Sequence, residues 1–222
     1  MNALRHELLD AVGVEHGFGV RGLAPPPGLR RPQQVHGACV AQASGCVGAA
    51  APQADAVVSA LPGVPVGVVT ADCVPILVAT DDGRAVAAIH AGWRGLACGV
   101  VEAGIEALRA EAGGAARLVA AIGPHIGARC YEVDEPVLAA LAAVFGGDLA
   151  AALLPARPGH AWLDLGRLTH TALLRAGLAP SALGRVPRAC TRCDPVRFHS
   201  YRREGAAAGR LHHFIAARGA QA

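Results

Sequence analysis

Between Pro65 and His90 the chain sets three apolar, strand-length runs one behind another, and no other feature constrains its fold as strongly. Pro65–Thr70 is rich in β-branched residues and halts at Ala71-Asp72-Cys73. Val74–Thr80 resumes the pattern up to Asp81-Asp82-Gly83, a turn signal that predicts a hairpin. Residues 85–90 form the third run, which ends at Ala91-Gly92-Trp93-Arg94-Gly95. Shorter strands are expected at 33–41 and 55–60, a buried one at 117–122 and a last one at 211–217. The proline-rich stretch 24–32 reads as an irregular connection. Helical periodicity takes over at 96–112, where Val100, Val101, Gly104, Ile105 and Leu108 share a face and Gly113-Gly114 marks the stop. Glu135–Phe145 and residues 164–176 repeat it, the second opened by Asp164 and closed by Gly177. Strands outnumber helices without alternating with them, which predicts an α+β protein. The expected architecture is a single domain over 1–222, with a mixed β-sheet core flanked by helices.

With 222 residues, 53% of them hydrophobic, the chain can bury one substantial core. The net charge of +3 is too small to argue for a nucleic-acid partner. All basic residues are arginines, but they form no stripe interleaved with aromatics. No apolar run reaches the roughly 20 residues that cross a bilayer. Met1 to Asp10 carries Arg5, His6, Glu7 and Asp10, so no signal-peptide core is legible, and a cytoplasmic, membrane-free protein is expected. Seven cysteines without an export signal do not suggest a disulfide framework. Cys39, Cys46, Cys98 and Cys130 read as small buried hydrophobes. Cys190-Thr191-Arg192-Cys193 is a CxxC without a second pair and reads as incidental. His212-His213 reads as a strand residue and its exposed neighbour.

Three metal-capable side chains sit where apolar runs end: His36, Cys73 and His90. Strand ends that share a sheet edge can converge across long sequence separations. Two imidazoles and a thiolate suit zinc, and three protein ligands leave a fourth position for water or substrate. Zinc would keep Cys73 deprotonated and acidify a bound water. From spacing alone, a core cysteine beside two hydrogen-bonded histidines accounts for the same residues.

Six segments carry a resemblance that weighs against that plainer account. They are Gln-Val-His-Gly at 34–37, Thr-Ala-Asp-Cys-Val-Pro-Ile at 70–76, His-Ala-Gly-Trp-Arg-Gly-Leu at 90–96, Ile-Gly-Pro-His-Ile-Gly at 122–127, Cys-Tyr-Glu-Val at 130–133 and Ser-Tyr-Arg-Arg-Glu-Gly at 200–205. From about His16 onward the chain resembles the laccase-domain, or peptidoglycan editing factor, family. Its members are also called multicopper polyphenol oxidases and purine nucleoside phosphorylases. The resemblance implies a zinc site on His36, Cys73 and His90, with copper as the alternative metal. It also implies phosphorolysis of adenosine, inosine, guanosine and methylthioadenosine, and deamination of adenosine.

Within that implied site Asp72 is a candidate to orient a ligand or handle a proton. Arg94, Arg202, Arg203 and Arg21 are candidate phosphate donors. Trp93 and Tyr201 are candidate base or ribose contacts, as is Tyr131, though core packing explains such aromatics equally well. The partners implied are a purine nucleoside and phosphate, and dimerisation is left open. The chain departs from the family in the short bridge between His16-Gly17-Phe18 and Gln34, in His125, and in Phe198-His199.

Three other functions remain open at this point. The same Cys–His pair could hydrolyse a wrongly aminoacylated cell-wall precursor, with Cys73 as nucleophile. A copper polyphenol oxidase would need several coppers, and Met1 is the one methionine available as an axial ligand. A non-enzymatic, zinc-stabilised interaction module would need a closed, four-ligand site.

Overall fold

The computed structural model describes residues 2–114 and 116–219. Its centre is a six-stranded mixed sheet in the order β11-β7-β5-β6-β3-β2. These strands are β2 (Val40–Gln42), β3 (Ala56–Ser59), β5 (Val74–Thr80), β6 (Val86–Ala91), β7 (Leu118–Ile122) and β11 (Leu183–Arg185). The predicted hairpin joins β5 to β6, with Val78 opposite Ala87, and Gly83 turns the chain at φ +71°. A three-stranded antiparallel sheet, β1 (Glu15–Gly17), β12 (Leu211–Ala216) and β4 (Pro65–Thr70), covers one face. Helices α2 (Trp93–Ala97), α3 (Val100–Glu111), α4 (Glu135–Phe145) and α5 (Leu165–Arg175) pack on the other. Helix α1 (Glu7–Ala11) lies on the side of the small sheet, and α6 (Tyr201–Glu204) follows β11. A third antiparallel sheet, β8 (Glu132–Asp134), β10 (His160–Leu163) and β9 (Leu153–Pro155), completes the α+β arrangement.

Burial on both faces explains why β5 and β6 are unbroken apolar runs. Alternate side chains point to opposite faces. Val74, Ile76, Val78, Ala87 and Ile89 enter the helix-side core, while Leu77, Ala79, Val86 and Ala88 enter the core against the small sheet.

Several expectations need correction. The strand expected at 33–41 is a strand only at Val40–Gln42, because residues 35–37 curl around a carboxylate described below and His36 adopts φ +62°. The helix expected at 96–112 is two helices, broken where Gly99 takes φ +79°. Cys39 and Cys98 are exposed, one in the loop before β2 and the other at the end of α2, whereas Cys46 and Cys130 are buried. Glu135–Ala152, with mean hydropathy 1.4, is long and apolar enough by composition to cross a membrane. It is α-helical only through Phe145, and it sinks Val137, Leu141, Phe145 and Leu149 into the core.

His213 on β12 is fully buried. The Gly19 N–H donates to its Nδ1 at 3.2 Å, so Nε2 carries the proton toward Thr70 Oγ1, 2.9 Å away. Burial pushes its pKa from the ordinary 6.5 down to about 3. The folded value lies below the unfolded one, so the unfolded chain takes up the proton first. This contribution to stability is complete above pH 6.5 and is lost as pH falls toward 3. Thermal midpoints measured between about pH 7.5 and about pH 5 should therefore fall with acid, and His213→Gln should flatten that slope. A wild-type slope that His213→Gln leaves unchanged would assign the acid sensitivity elsewhere.

Candidate metal centre and its cavity

His36, Cys73 and His90 meet at one end of the central sheet. Cys73 lies in the turn between β4 and β5, and His90 is the penultimate residue of β6. Their donor atoms lie within 4.8 Å of one another. The imidazoles of His36 and His90 stand edge to face with centroids 4.9 Å apart. Gly92 leaves the room this needs, since a Cβ there would stand 3.0 Å from Cys73 Sγ and 3.3 Å from His36 Cδ2.

Asp55, the residue before β3, organises the cluster and is fully buried. Its Oδ1 accepts the His90 Nδ1–H at 2.8 Å and the His36 N–H at 2.9 Å. Its Oδ2 accepts the N–H groups of Gly37 at 2.7 Å and Val35 at 3.2 Å. Burial opposes ionisation of this carboxyl, but the bonds from His90 and the backbone outweigh it and hold the pKa low. One carboxylate thus fixes the His36 backbone and commits His90 to presenting Nε2 toward Cys73. Such an outer carboxylate is a recurrent companion of histidine ligands. Nothing in the sequence distinguished Asp55 from a turn aspartate; the available signal was a lone acid at the start of an apolar strand.

Burial resists ionisation of Cys73, yet hydrogen bonds with His36 and His90 bring its thiol down to about 6. For His90, burial disfavours the cation, while bonds to Asp55 and Cys73 raise it to about 9. The two groups thus favour a thiolate at Cys73, the nucleophilic state of a cysteine and also the form a metal requires, and a bound cation would displace the proton held between Cys73 and His90. The set fits a soft or borderline divalent cation: two imidazoles, one thiolate and a fixed tautomer.

The trio opens into a cavity of about 740 Å³. Asp72, Trp93, Arg94, Tyr131, Tyr201 and Arg202 line it, together with Arg31, Gln34 and Arg210, which sequence reasoning did not single out. Gln34 clamps the Val69 backbone, accepting its N–H at 2.7 Å and donating to its carbonyl at 2.8 Å. The Arg94 guanidinium lies 4.4 Å from the Trp93 ring centroid, and that of Arg202 lies 4.9 Å from Tyr131.

Asp72, at φ +98°, borders the cavity with its carboxylate turned to protein donors. Oδ1 accepts from Thr191 Oγ1 at 2.5 Å, and Oδ2 accepts from Ser200 Oγ at 3.0 Å and the Arg202 N–H at 2.6 Å. It anchors the segment that carries Arg202. Arg203 and Arg21 do not line the cavity. The Arg203 guanidinium donates to the carbonyls of Thr191, Arg192 and Phe198 at 2.7, 2.8 and 2.7 Å, and Arg21 pairs with Glu204.

A His–Cys–His donor set at one end of the central sheet, beneath an arginine- and aromatic-walled cavity, gives this α+β protein a candidate metal site. The chain belongs to the multi-copper polyphenol oxidoreductase laccase family, whose pattern matches residues 20–218. A protein of Xylella fastidiosa (strain Temecula1) called purine nucleoside phosphorylase is 41% identical over 155 residues, covering 69% of this chain and 57% of that protein. "Adenosine deaminase RL5", from an unknown prokaryotic organism, is 38% identical over 157 residues, 70% of this chain and 59% of its own length. The chain thus spans less than two thirds of these relatives. The crystal structure of YlmD from Geobacillus stearothermophilus superposes with a TM-score of 0.80 at 31% identity, covering 88% of this chain and 75% of that one.

Proposed function

We propose that the chain is a zinc-dependent purine nucleoside phosphorylase that also deaminates adenosine, with adenosine, inosine, guanosine and methylthioadenosine as its substrate class. One observation carries this reading: the three donors of His36, Cys73 and His90 converge within 4.8 Å at a cavity walled by arginines and aromatics. The names of the relatives support the purine chemistry. His36, Cys73 and His90 would hold the ion, and Asp55 would keep His90 in the tautomer that presents Nε2. When bound, zinc supplies a Lewis acid that acidifies water.

The remaining roles belong to side chains. Arg94 and Arg202, with Arg31 and Arg210 beside them, would hold phosphate through paired N–H donors and neutralise its charge. A phosphate oxygen so held can add to ribose C1′ as the bond to the purine nitrogen breaks and the base leaves. Trp93 and Tyr201 offer flat surfaces for the purine. The cytoplasm suits this reading, because all seven cysteines are unpaired.

Replacing Arg202 with alanine should raise the KM for phosphate about tenfold, the loss of one charge-assisted contact, in inosine phosphorolysis. An unchanged value would remove Arg202 from the phosphate site.

A second reading, hydrolysis of a misaminoacylated cell-wall precursor with Cys73 as nucleophile, is favoured by the lowered Cys73 thiol. It requires a metal-free thiolate. Rapid alkylation of Cys73 in the zinc-loaded protein would support it, and protection by zinc would count against it.

A further inference from the structure

A second cluster of metal-capable side chains lies away from the cavity. Cys130 ends a 3-10 turn at Ala128–Cys130, sixty positions before Cys190 in a different segment. Cys190 pairs as an isolated bridge with His125, and the chain then turns tightly through Thr191-Arg192 to Cys193. The turn brings both sulfurs of the CxxC to one side, and Cys130 supplies a third. All three sulfurs lie within 4.8 Å of one another, with Cys130 and Cys193 3.2 Å apart. Sulfurs bound tetrahedrally to zinc at about 2.3 Å stand about 3.8 Å apart, so the cluster needs only small side-chain adjustments. The Gly127 N–H donates to Cys190 Sγ at 3.1 Å, the kind of bond that stabilises a thiolate ligand. Burial is graded from Cys130, which is buried, to Cys193, which is exposed, and this gives an ion a path of entry.

We infer that Cys130, Cys190 and Cys193 form a second, all-thiolate site for zinc, separate from the His36–Cys73–His90 centre. Binding expels the thiol protons to solvent and joins the segment around residue 130 to the loop at 190–193. Cys190 and Cys193 border a groove of about 690 Å³ that Arg188, Asp194 and Val196 also line. The site has a structural consequence for the cavity. Thr191, inside the CxxC, bonds Asp72, and Arg203 grips the Thr191 and Arg192 carbonyls. An ion here braces the loop on which the Arg202 segment rests. The CxxC thus supplies two of the three ligands, and the third, Cys130, lies too far along the chain for spacing to reveal.

The test is zinc content by mass spectrometry after loading the fully reduced chain with zinc sulfate and desalting. Wild type should hold about two ions, Cys193→Ser about one, Cys73→Ala about one, and the double variant almost none. Cys193 is exposed, so serine there leaves the core intact. A Cys193→Ser protein with the same zinc content as wild type would overturn the inference, as would a Cys130–Cys193 disulfide that forms in the presence of zinc. Cobalt gives an independent readout. Sulfur-to-cobalt charge-transfer absorption should persist in Cys73→Ala and disappear when Cys193→Ser is added; its persistence in the double variant would also overturn the site. Failure at Cys73 alone would strike the active-site reading and leave this one standing.

Discussion

Asp55→Ala should weaken zinc binding by roughly 10- to 100-fold and lower folding stability by about 3–5 kcal/mol. Both effects follow from the same geometry. The buried carboxylate accepts four hydrogen bonds, three from the backbone N–H groups of residues 35–37 and one from His90. Removing it leaves the buried His90 Nδ1–H and the three backbone N–H groups without their acceptor, and unmet buried donors are costly. The loop that carries His36 then loses its fixed shape, and His90 loses the partner that selects its tautomer. Asp55→Asn separates the two effects. It keeps the volume and some of the backbone bonds, so stability should recover in part. The uncharged amide polarises His90 less, so zinc affinity should stay low. Zinc titration and denaturant unfolding of the three proteins check this, and wild-type affinity in Asp55→Asn would reject the orienting role.

Asp72→Ala should cost about 100-fold in kcat/KM for phosphate, with most of the loss in KM. The Asp72 carboxylate ties Thr191, Ser200 and the Arg202 backbone to the turn that carries Cys73. Without it, the Arg202 backbone loses its anchor, and the guanidinium, held then only at the Glu132 carbonyl and the Tyr131 ring, would shift from the proposed phosphate position. An acid-base role predicts the opposite split, with kcat falling, KM unchanged and the pH profile losing a limb. Steady-state kinetics of Asp72→Ala and Asp72→Asn distinguish the two. A kcat-only loss in Asp72→Asn would make Asp72 a proton-handling residue instead of an anchor.

The candidate trio was singled out by the matched segments around it more than by spacing: Cys73 and His90 lie where apolar runs stop, whereas His36 sits in the curl before β2 and ends no strand. The same runs made β4, β5 and β6 readable, since burial on both faces leaves no polar alternation to confuse. What stayed hidden was set by tertiary contact. Strands β8, β9 and β11 have three residues each, too few for any period to register. The curl at residues 35–37 depends on Asp55, some twenty positions on. Gly99 splits a helical pattern whose apolar face continues across the break. The arginines divide by position, which composition does not encode: Arg202 lines the cavity although one of its guanidinium nitrogens donates to the Glu132 carbonyl at 3.0 Å, whereas Arg203 and Arg21 lie outside the cavity on carbonyls and Glu204.

The central claim is that His36, Cys73 and His90 make a metal centre for purine nucleosides. Chromatography of adenosine incubated with phosphate and zinc-loaded protein tests it most directly, with wild type set against Cys73→Ala. Wild type should release adenine and inosine, and Cys73→Ala should release neither. No product from folded, zinc-loaded wild type, or equal product from Cys73→Ala, would contradict it.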